Sequence, residues 1–546
     1  MGNHIVYEID EDDFDDEDVD DVLGEQLSLA VGTVMNQLER LERLNPLERP
    51  TAQMPVIRKK PDLRTFRHTM LYKEIKALCA LPANSNRPSD RWSLTRGLFK
   101  RENGIAAHPA GSFTPNQQRR IANLFVPNNK EERLMSLEAK VFICKFNKDG
   151  SKLVTACQDS VIRVFDSSKG TYHRINRIVT DICNWSILDV DFSPCGQYLA
   201  YSTWSDAFFV LPVNSDGKDV QFFNLNAEQS RSAIFSLRFS PCGQQIIGGS
   251  NNSLIYVADR ETHAVRMINT QRNEKDDINA VSFVSDQDSN IFVSGCNDGV
   301  LKLWDLRCAG STVRGRNSSG SSYSNNRNSC TSVRHTPVGI FKGHLDGITY
   351  IDSRNDGHYV LTNSKDQSIK IWDMRMTTPS NKLNKVKLPL IPWDYRWDTV
   401  PREYYNPKAT LEGDVSVMTY RGHRVTKSLL RAKFSPALQT GQRYIYTGCG
   451  TGRIIIYDVL TGQIKEAIEG HKDIVRDLSW HPVRSEIVSG SWDSHVNLNT
   501  FKHNPLLKRP SSGPGYQGSL RRSLRIAHQN GDLDDDADED EPEQSW

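Results

Sequence analysis

A polar turn residue followed six positions later by a strand-closing pair recurs along this chain, and it restricts the architecture more than any other feature. Asp298 leads to Trp304-Asp305, Asp366 to Trp372-Asp373 and Asp159 to Phe165-Asp166. Weaker copies keep the offset: Asn252 leads to Ala258-Asp259 and Thr451 to Tyr457-Asp458. At Asp206, followed by Pro212-Val213, and at Asp493, followed by Asn499-Thr500, the turn survives but the closing pair is lost. Successive turns lie 47, 46, 46, 68, 85 and 42 residues apart, so seven units recur and two of the gaps carry insertions.

A period near 46 residues suits a four-stranded unit that buries both faces against its neighbours. Each unit alternates as a strand should, as in Ile234-Phe235-Ser236-Leu237-Arg238-Phe239 followed by the turn Ser240-Pro241-Cys242-Gly243. The same grammar recurs at Phe192-Ser193-Pro194-Cys195-Gly196 and Phe146-Asn147-Lys148-Asp149-Gly150. The fold predicted is all-β, a seven-bladed WD-repeat β-propeller. Gly-His pairs precede three blades, at Gly343-His344, Gly422-His423 and Gly470-His471. Such a His joins the turn Asp, a hydroxyl and the Trp indole in a buried polar network. His344, Asp366 and Trp372 are placed to form one, with Thr362 or Ser364 as the hydroxyl, while His423, His471 and Asp493 belong to related sites. Their role is structural, because a buried polar group left unpaired costs about 1–3 kcal/mol.

The domain plan that follows is an acidic tail over 1–21, a partly helical extension over 22–135 and the propeller over 136–502. A basic-then-acidic tail over 503–546 completes it. In the extension, Leu23 to Leu41 keep a helical stripe, Phe66 to Ala80 carries Met70, Leu71, Ile75 and Leu78 along one side, and a third helix starts at Thr114-Pro115. These helices pack on the ring or dock into a partner. Ring closure needs an outer strand from outside the last repeat, and Ile121 to Val126 competes with helix for that job. Of the insertions, 309–335 is rich in Ser, Asn, Gly and Arg and reads as a flexible loop. The other, 376–416, carries Trp393, Tyr395, Trp397, Tyr404 and Tyr405, and packs on the propeller flank or forms part of a partner surface.

Net charge is only +1, so no global field draws the chain to nucleic acid or membrane. The ten cysteines show no paired metal spacing and no C-x-x-C, which reads as reduced thiols in a soluble, intracellular protein. Cys449 reads as a buried thiol rather than a redox sensor. No Gly-rich phosphate loop, G-x-S-x-G or H-E-x-x-H occurs. The expectation is a binding scaffold without catalytic residues, cofactor or metal. A hydrolase would need carboxylates converging on the ring axis.

The paired boxes Trp304-Asp305-Leu306-Arg307 and Trp372-Asp373-Met374-Arg375 narrow the reading, together with four further stretches. These are Asn184 to Val190, Ser202 to Asp206, Trp393-Asp394-Tyr395-Arg396-Trp397 and Thr419 to His423. With them the chain resembles the WD-repeat substrate receptors of cullin 4 ubiquitin ligases, from the acidic start through all seven blades. The resemblance implies that a multi-propeller adaptor holds the chain by its N-terminal helices and by the rim carrying Trp304, Asp305, Arg307, Trp372, Asp373 and Arg375. Arginine suits that rim because its planar fork makes two bonds at once to carboxylate or carbonyl oxygens. The Gly-His face is left for substrate, with Trp185, Trp204, Lys365, Arg424 and Trp492 as anchors and an acidic degron as the fitting ligand. The resemblance further implies stress-response transcription factors as substrates, degradation by the proteasome and a place in nucleus and cytoplasm. The rival reading is a chromatin or RNA scaffold using Arg314, Arg316, Arg327, Arg521, Arg522 and Arg525.

Overall fold

The computed structural model describes residues 63–79, 98–99, 101–103, 113–180, 186–215, 217, 219–225, 233–270, 276–308, 336–379, 393–406 and 410–503. Seven four-stranded antiparallel sheets stand in a ring. Blade one runs from Val141–Phe146 at the axis to His173–Val179 at the rim, and blades two to six repeat the order. The seven-bladed propeller expected from the turns is the fold found. The turn residue works because the next residue adopts a left-handed conformation: Ser160, Ser253, Gly299, Gln367, Gly452 and Ser494 all have φ between 57° and 78°.

The hydrophobic core is divided among the blade interfaces. Phe142, Val154 and Ile162 of blade one meet Val190, Leu199 and Phe209 of blade two, and equivalent clusters follow around the ring to Val488 and Val496 of blade seven against Val141 and Cys144. Burial on both faces is why the inner strands read as nearly unbroken apolar runs.

Ring closure corrects the expectation for Ile121 to Val126. The closing strand is Asn129–Ser136, paired antiparallel with His495–Thr500 from Asn129 opposite Thr500 to Ser136 opposite His495. Ile121 instead ends the helix Pro115–Ala122, whose Thr114 and Gln117 form a reciprocal capping box. Val126 packs between blades six and seven beside Tyr444 and Trp480.

The stretch from Phe66 splits into Leu63–Phe66 and Met70–Leu78, because the Thr69 side chain caps the second helix at Tyr72. Phe66, Leu71, Ile75 and Cys79 are buried against Tyr359, Leu361, Val459 and Leu460 of blades five and six. Packing therefore uses the apolar side of this helix. The Leu23 to Leu41 stripe and the 309–335 insertion lie outside the described residues.

Candidate functional site: two opposed faces of the ring

The Trp-Asp-x-Arg boxes end the third strands of blades four and five, on the face opposite the Gly-His loops. Trp304 and Trp372 are wholly buried and bond inward, the former giving its indole N–H to Ser294 Oγ at 2.8 Å. In blade five the network is complete. Trp372 Nε1 donates to Thr362 Oγ1 at 2.7 Å, that hydroxyl meets His344 Nε2 at 2.6 Å, and His344 Nδ1 meets Asp366 Oδ2 at 3.0 Å. Thr362 is thus the hydroxyl, and Ser364 bonds the Asp346 carbonyl instead. The contacts run without a break from the Trp372 indole through the Thr362 hydroxyl and the His344 ring to the Asp366 carboxylate. Blade seven repeats it with His471, Asp493 and Ser489, and Asn499 replaces the Trp by donating to Ser489 Oγ at 3.0 Å. His423 has no turn Asp and meets Tyr457 Oη and Asn363 Oδ1.

Both arginines close a fork on their own box. Arg307 donates from Nε to Asp305 Oδ1 at 2.9 Å and from Nη2 to Oδ2 at 2.7 Å, and Arg375 does the same to Asp373 at 2.8 and 2.7 Å. Arg375 Nη2 also reaches Tyr359 Oη at 3.1 Å. The side chains stay 60% and 51% exposed, so each offers its outer Nη1 edge rather than the whole fork. The Arg307 bond holds Asp305 below the ordinary carboxylate range, and Asp373 is lowered against its own desolvation by Arg375. Glu74 of the Met70–Leu78 helix pairs with Arg354 at 2.7 Å, and Arg354 bonds Gln442 of blade six, so the helix is fastened to this face. Beside it, the Pro115–Ala122 helix is held by Arg119 on the Ala437 carbonyl and leaves Leu124 56% exposed.

The opposite face departs from expectation. The second insertion climbs past the outer strand of blade four, where Thr378 bonds Ile340 and Lys342, and then lies over the Gly-His loops. Asp346 clamps it, accepting from Trp393 Nε1 at 2.8 Å and Tyr404 Oη at 3.0 Å. Tyr395 covers Lys365, whose Nζ sits 4.0 Å from the ring centroid and bonds Asn297. Lys365 is therefore withdrawn from the anchors expected on this face: at 8% exposure it is packing beneath the insertion. Trp492 is also packing, tilted on Phe142 at 5.9 Å with Lys140 4.6 Å above it. Trp204 remains 37% exposed, edge-on to Phe235, while Trp185 lies outside the described residues. Arg424 is half-buried, and its Nε has no hydrogen-bond partner among the described residues.

Of the aromatic residues read in the second insertion as packing or partner surface, one dominates this face without having been singled out as an anchor. Trp397 is 69% exposed, and next to it Arg396 forms a third fork, Nε to Asp394 Oδ1 at 2.9 Å and Nη2 to Oδ2 at 2.6 Å. The signal was present, since Trp393-Asp394-Tyr395-Arg396 is itself a Trp-Asp-x-Arg box outside any strand.

Carboxylates do converge on the axis, but cations meet them there. Asp189 pairs with Arg238 at 2.7 Å and Arg431 at 2.9 Å, and Asp477 with Lys433 at 2.7 Å and Arg431 at 3.2 Å. These charges brace blades two, three, six and seven across the centre. Burial opposes the Asp189 charge, yet the two guanidinium groups keep its carboxyl well below the usual range. Among the described residues, Asp276, Cys296 and Asp298 bring two carboxylates and a thiol within 4.8 Å of one another. Burial and Asp298 push the Cys296 thiol far up, and Asp298 already faces Lys302 at 3.7 Å, a poor setting for a metal ligand.

The WD domain, G-beta repeat family matches residues 132–166, 266–305, 335–373 and 462–498, each running from the outer strand of one blade through the three inner strands of the next, namely blades one, four, five and seven. The DDB1- and CUL4-associated factor 11 homolog of Caenorhabditis elegans is 37% identical over 447 residues, 79% of this chain and 72% of that protein. The chain belongs to the DDB1- and CUL4-associated factor 11 family. The homolog from Caenorhabditis briggsae is 34% identical over 77% of the chain and 72% of its own length. A plant protein of the same breadth, the LEC14B protein of Lithospermum erythrorhizon, is 31% identical over 80% of the chain and 86% of its own. The residues proposed as cationic nucleic-acid contacts, Arg314, Arg316, Arg327, Arg521, Arg522 and Arg525, lie outside the described residues.

Proposed function

We propose that this chain is the substrate-recognition subunit of a cullin 4 RING ubiquitin ligase. It bridges the ligase adaptor, DDB1 in the names of its relatives, to proteins marked for ubiquitination and proteasomal degradation, and takes no catalytic step itself. The observation that carries the reading is the gathering of both exposed Arg-Asp forks and two fastened helices on one face. The opposite face presents a separate aromatic platform. Adaptor contact falls to Trp304, Asp305, Arg307, Trp372, Asp373 and Arg375, the buried indoles holding the forks in place. Replacing both Arg307 and Arg375 by Ala weakens adaptor binding about ten- to a hundredfold with the thermal melt unchanged. Undiminished adaptor recovery from the folded double variant would overturn it.

Substrate is read on the Gly-His face by Trp397 and its neighbour Arg396, with Lys427 fastened beside them by its N–H on the Tyr395 carbonyl and Arg424 in the Gly-His loop before Lys427. Arg396 keeps Nη1 outside its fork and, among the described residues, the Lys427 ammonium pairs with Asp473 at 3.4 Å, whereas Asp394 and Asp346 already accept several bonds. Donors in excess favour a ligand that supplies carboxylates beside an apolar side chain. Stress-response transcription factors, met in nucleus and cytoplasm, are the substrates this reading assigns. Trp397→Ala lowers substrate capture and leaves adaptor capture intact.

A further inference from the structure

The inner strands of blades one to four end alike, in Phe146, Phe192, Phe239 and Phe283, on the Trp-Asp-x-Arg face. All four rings line one cavity of about 250 Å³ at the axial mouth of the ring, together with the turns that follow them. An apolar cavity of roughly 150 Å³ is enough to take benzene, so this one has room for a somewhat larger molecule. Phenyl rings with a few charged groups and hydroxyls suit a ligand with an apolar body and a polar end.

The charges in its wall differ in how firmly they are held. Lys145 pairs with Asp191, which also accepts the Phe239 N–H at 2.8 Å, and Arg238 is fixed by Asp189 and by Tyr350 Oη, both at 2.7 Å. Lys148 is the exception. Its side chain is 71% exposed, and its Nζ crosses from blade one to Asp286 Oδ2 of blade four at 2.7 Å. The Asp286 turn is itself tied to blade five, where the Asp286 N–H bonds the Asn355 carbonyl at 3.4 Å and the Gly357 N–H bonds the Val284 carbonyl at 3.2 Å. A solvent-exposed ion pair adds little stability. The lysine is therefore free to swing away, while the carboxylate stays in place.

These two charges decide what enters. A ligand with a single charge parts the pair and leaves its other half without a counterion. A ligand that carries both signs gives each half a new partner. The paired ammonium and carboxylate stand 2.7 Å apart, so the ligand's own charges have to lie close together, as they do on one carbon atom. We propose that this axial mouth binds a free α-amino acid with an apolar side chain. Its carboxylate takes the Lys148 ammonium, its ammonium takes the Asp286 carboxylate, and its side chain enters between the phenyl rings. Neither Arg307 nor Arg375 is in the wall, so the site is distinct from the adaptor forks.

The test is a ligand-observed NMR titration of the full chain with L-phenylalanine, L-leucine and L-methionine. Each is run beside its N-acetyl form, which lacks the ammonium, and its carboxamide form, which lacks the carboxylate. At least one free amino acid is expected to bind, and both of its capped forms at least about tenfold more weakly. Lys148→Ala and Asp286→Ala each weaken the free amino acid by a similar factor with the thermal melt unchanged. Should Asp286→Ala fail to fold, Lys148→Ala carries the comparison, because its side chain stands in solvent. No binding by any of the three at about 10 mM, capped forms that bind as well as the free one, or wild-type affinity in folded Lys148→Ala would overturn the proposal.

Discussion

At the scale of residues, the ring depends on polar groups satisfied out of reach of water. His423 is the clearest case. It is fully buried, and desolvation lowers its pKa from 6.5 to about 4, so it is neutral between Tyr457 and Asn363. The sign follows from linkage. Between those two pH values the unfolded chain binds a proton that the folded chain refuses. The contribution is whole above pH 6.5 and is lost as pH falls towards 4, up to about 3 kcal/mol. His423→Gln is expected to flatten the stability profile across that interval, read as urea midpoints from pH 4 to 7. A variant with the wild-type slope would mean that other groups carry it. The forks at Arg307, Arg375 and Arg396 belong to the same scale. Each guanidinium is oriented by its own Asp before any partner arrives, which limits the entropy lost on contact.

At the scale of elements, the fasteners are short. The Met70–Leu78 helix has nine residues and would not persist alone, so its order derives from Leu71 and Ile75 in the blade five to six core. Ile75→Ala should cost about 2–5 kcal/mol and release the helix, visible as faster hydrogen exchange at Met70–Leu78 and at the Arg354 turn. Thr114-Pro115 announced a helix start and delivered a full capping box, because the chemistry of a cap is local. The closing strand was illegible for the opposite reason. Asn129–Ser136 is an outer edge with half its residues exposed, so Asn-Lys-Glu-Glu-Arg shows no apolar alternation, and its strand character comes from the pairing with His495–Thr500. The platform over the Gly-His loops was hidden likewise. Its aromatic residues announced burial, but which face they would cover depends on Asp346, distant from Tyr404 by 58 positions.

At the scale of the whole molecule, seven interfaces close on one another and the last is sealed by a strand from the beginning of the chain. Removing residues 1–136 should leave blade seven with an open edge and convert one cooperative unfolding transition into a broad one, with increased self-association. Removing only 1–62 should keep a single transition, because that cut spares the closing strand and both helices against the ring. The seam also sets a schedule for synthesis. Asn129–Ser136 is synthesised 359 residues before its partner strand His495–Thr500 begins, the span from 136 to 495. At ordinary elongation rates that is roughly 20–70 s during which an edge strand waits unpaired. The ring is a product of finished translation, and a nascent chain stalled anywhere short of blade seven cannot present both faces.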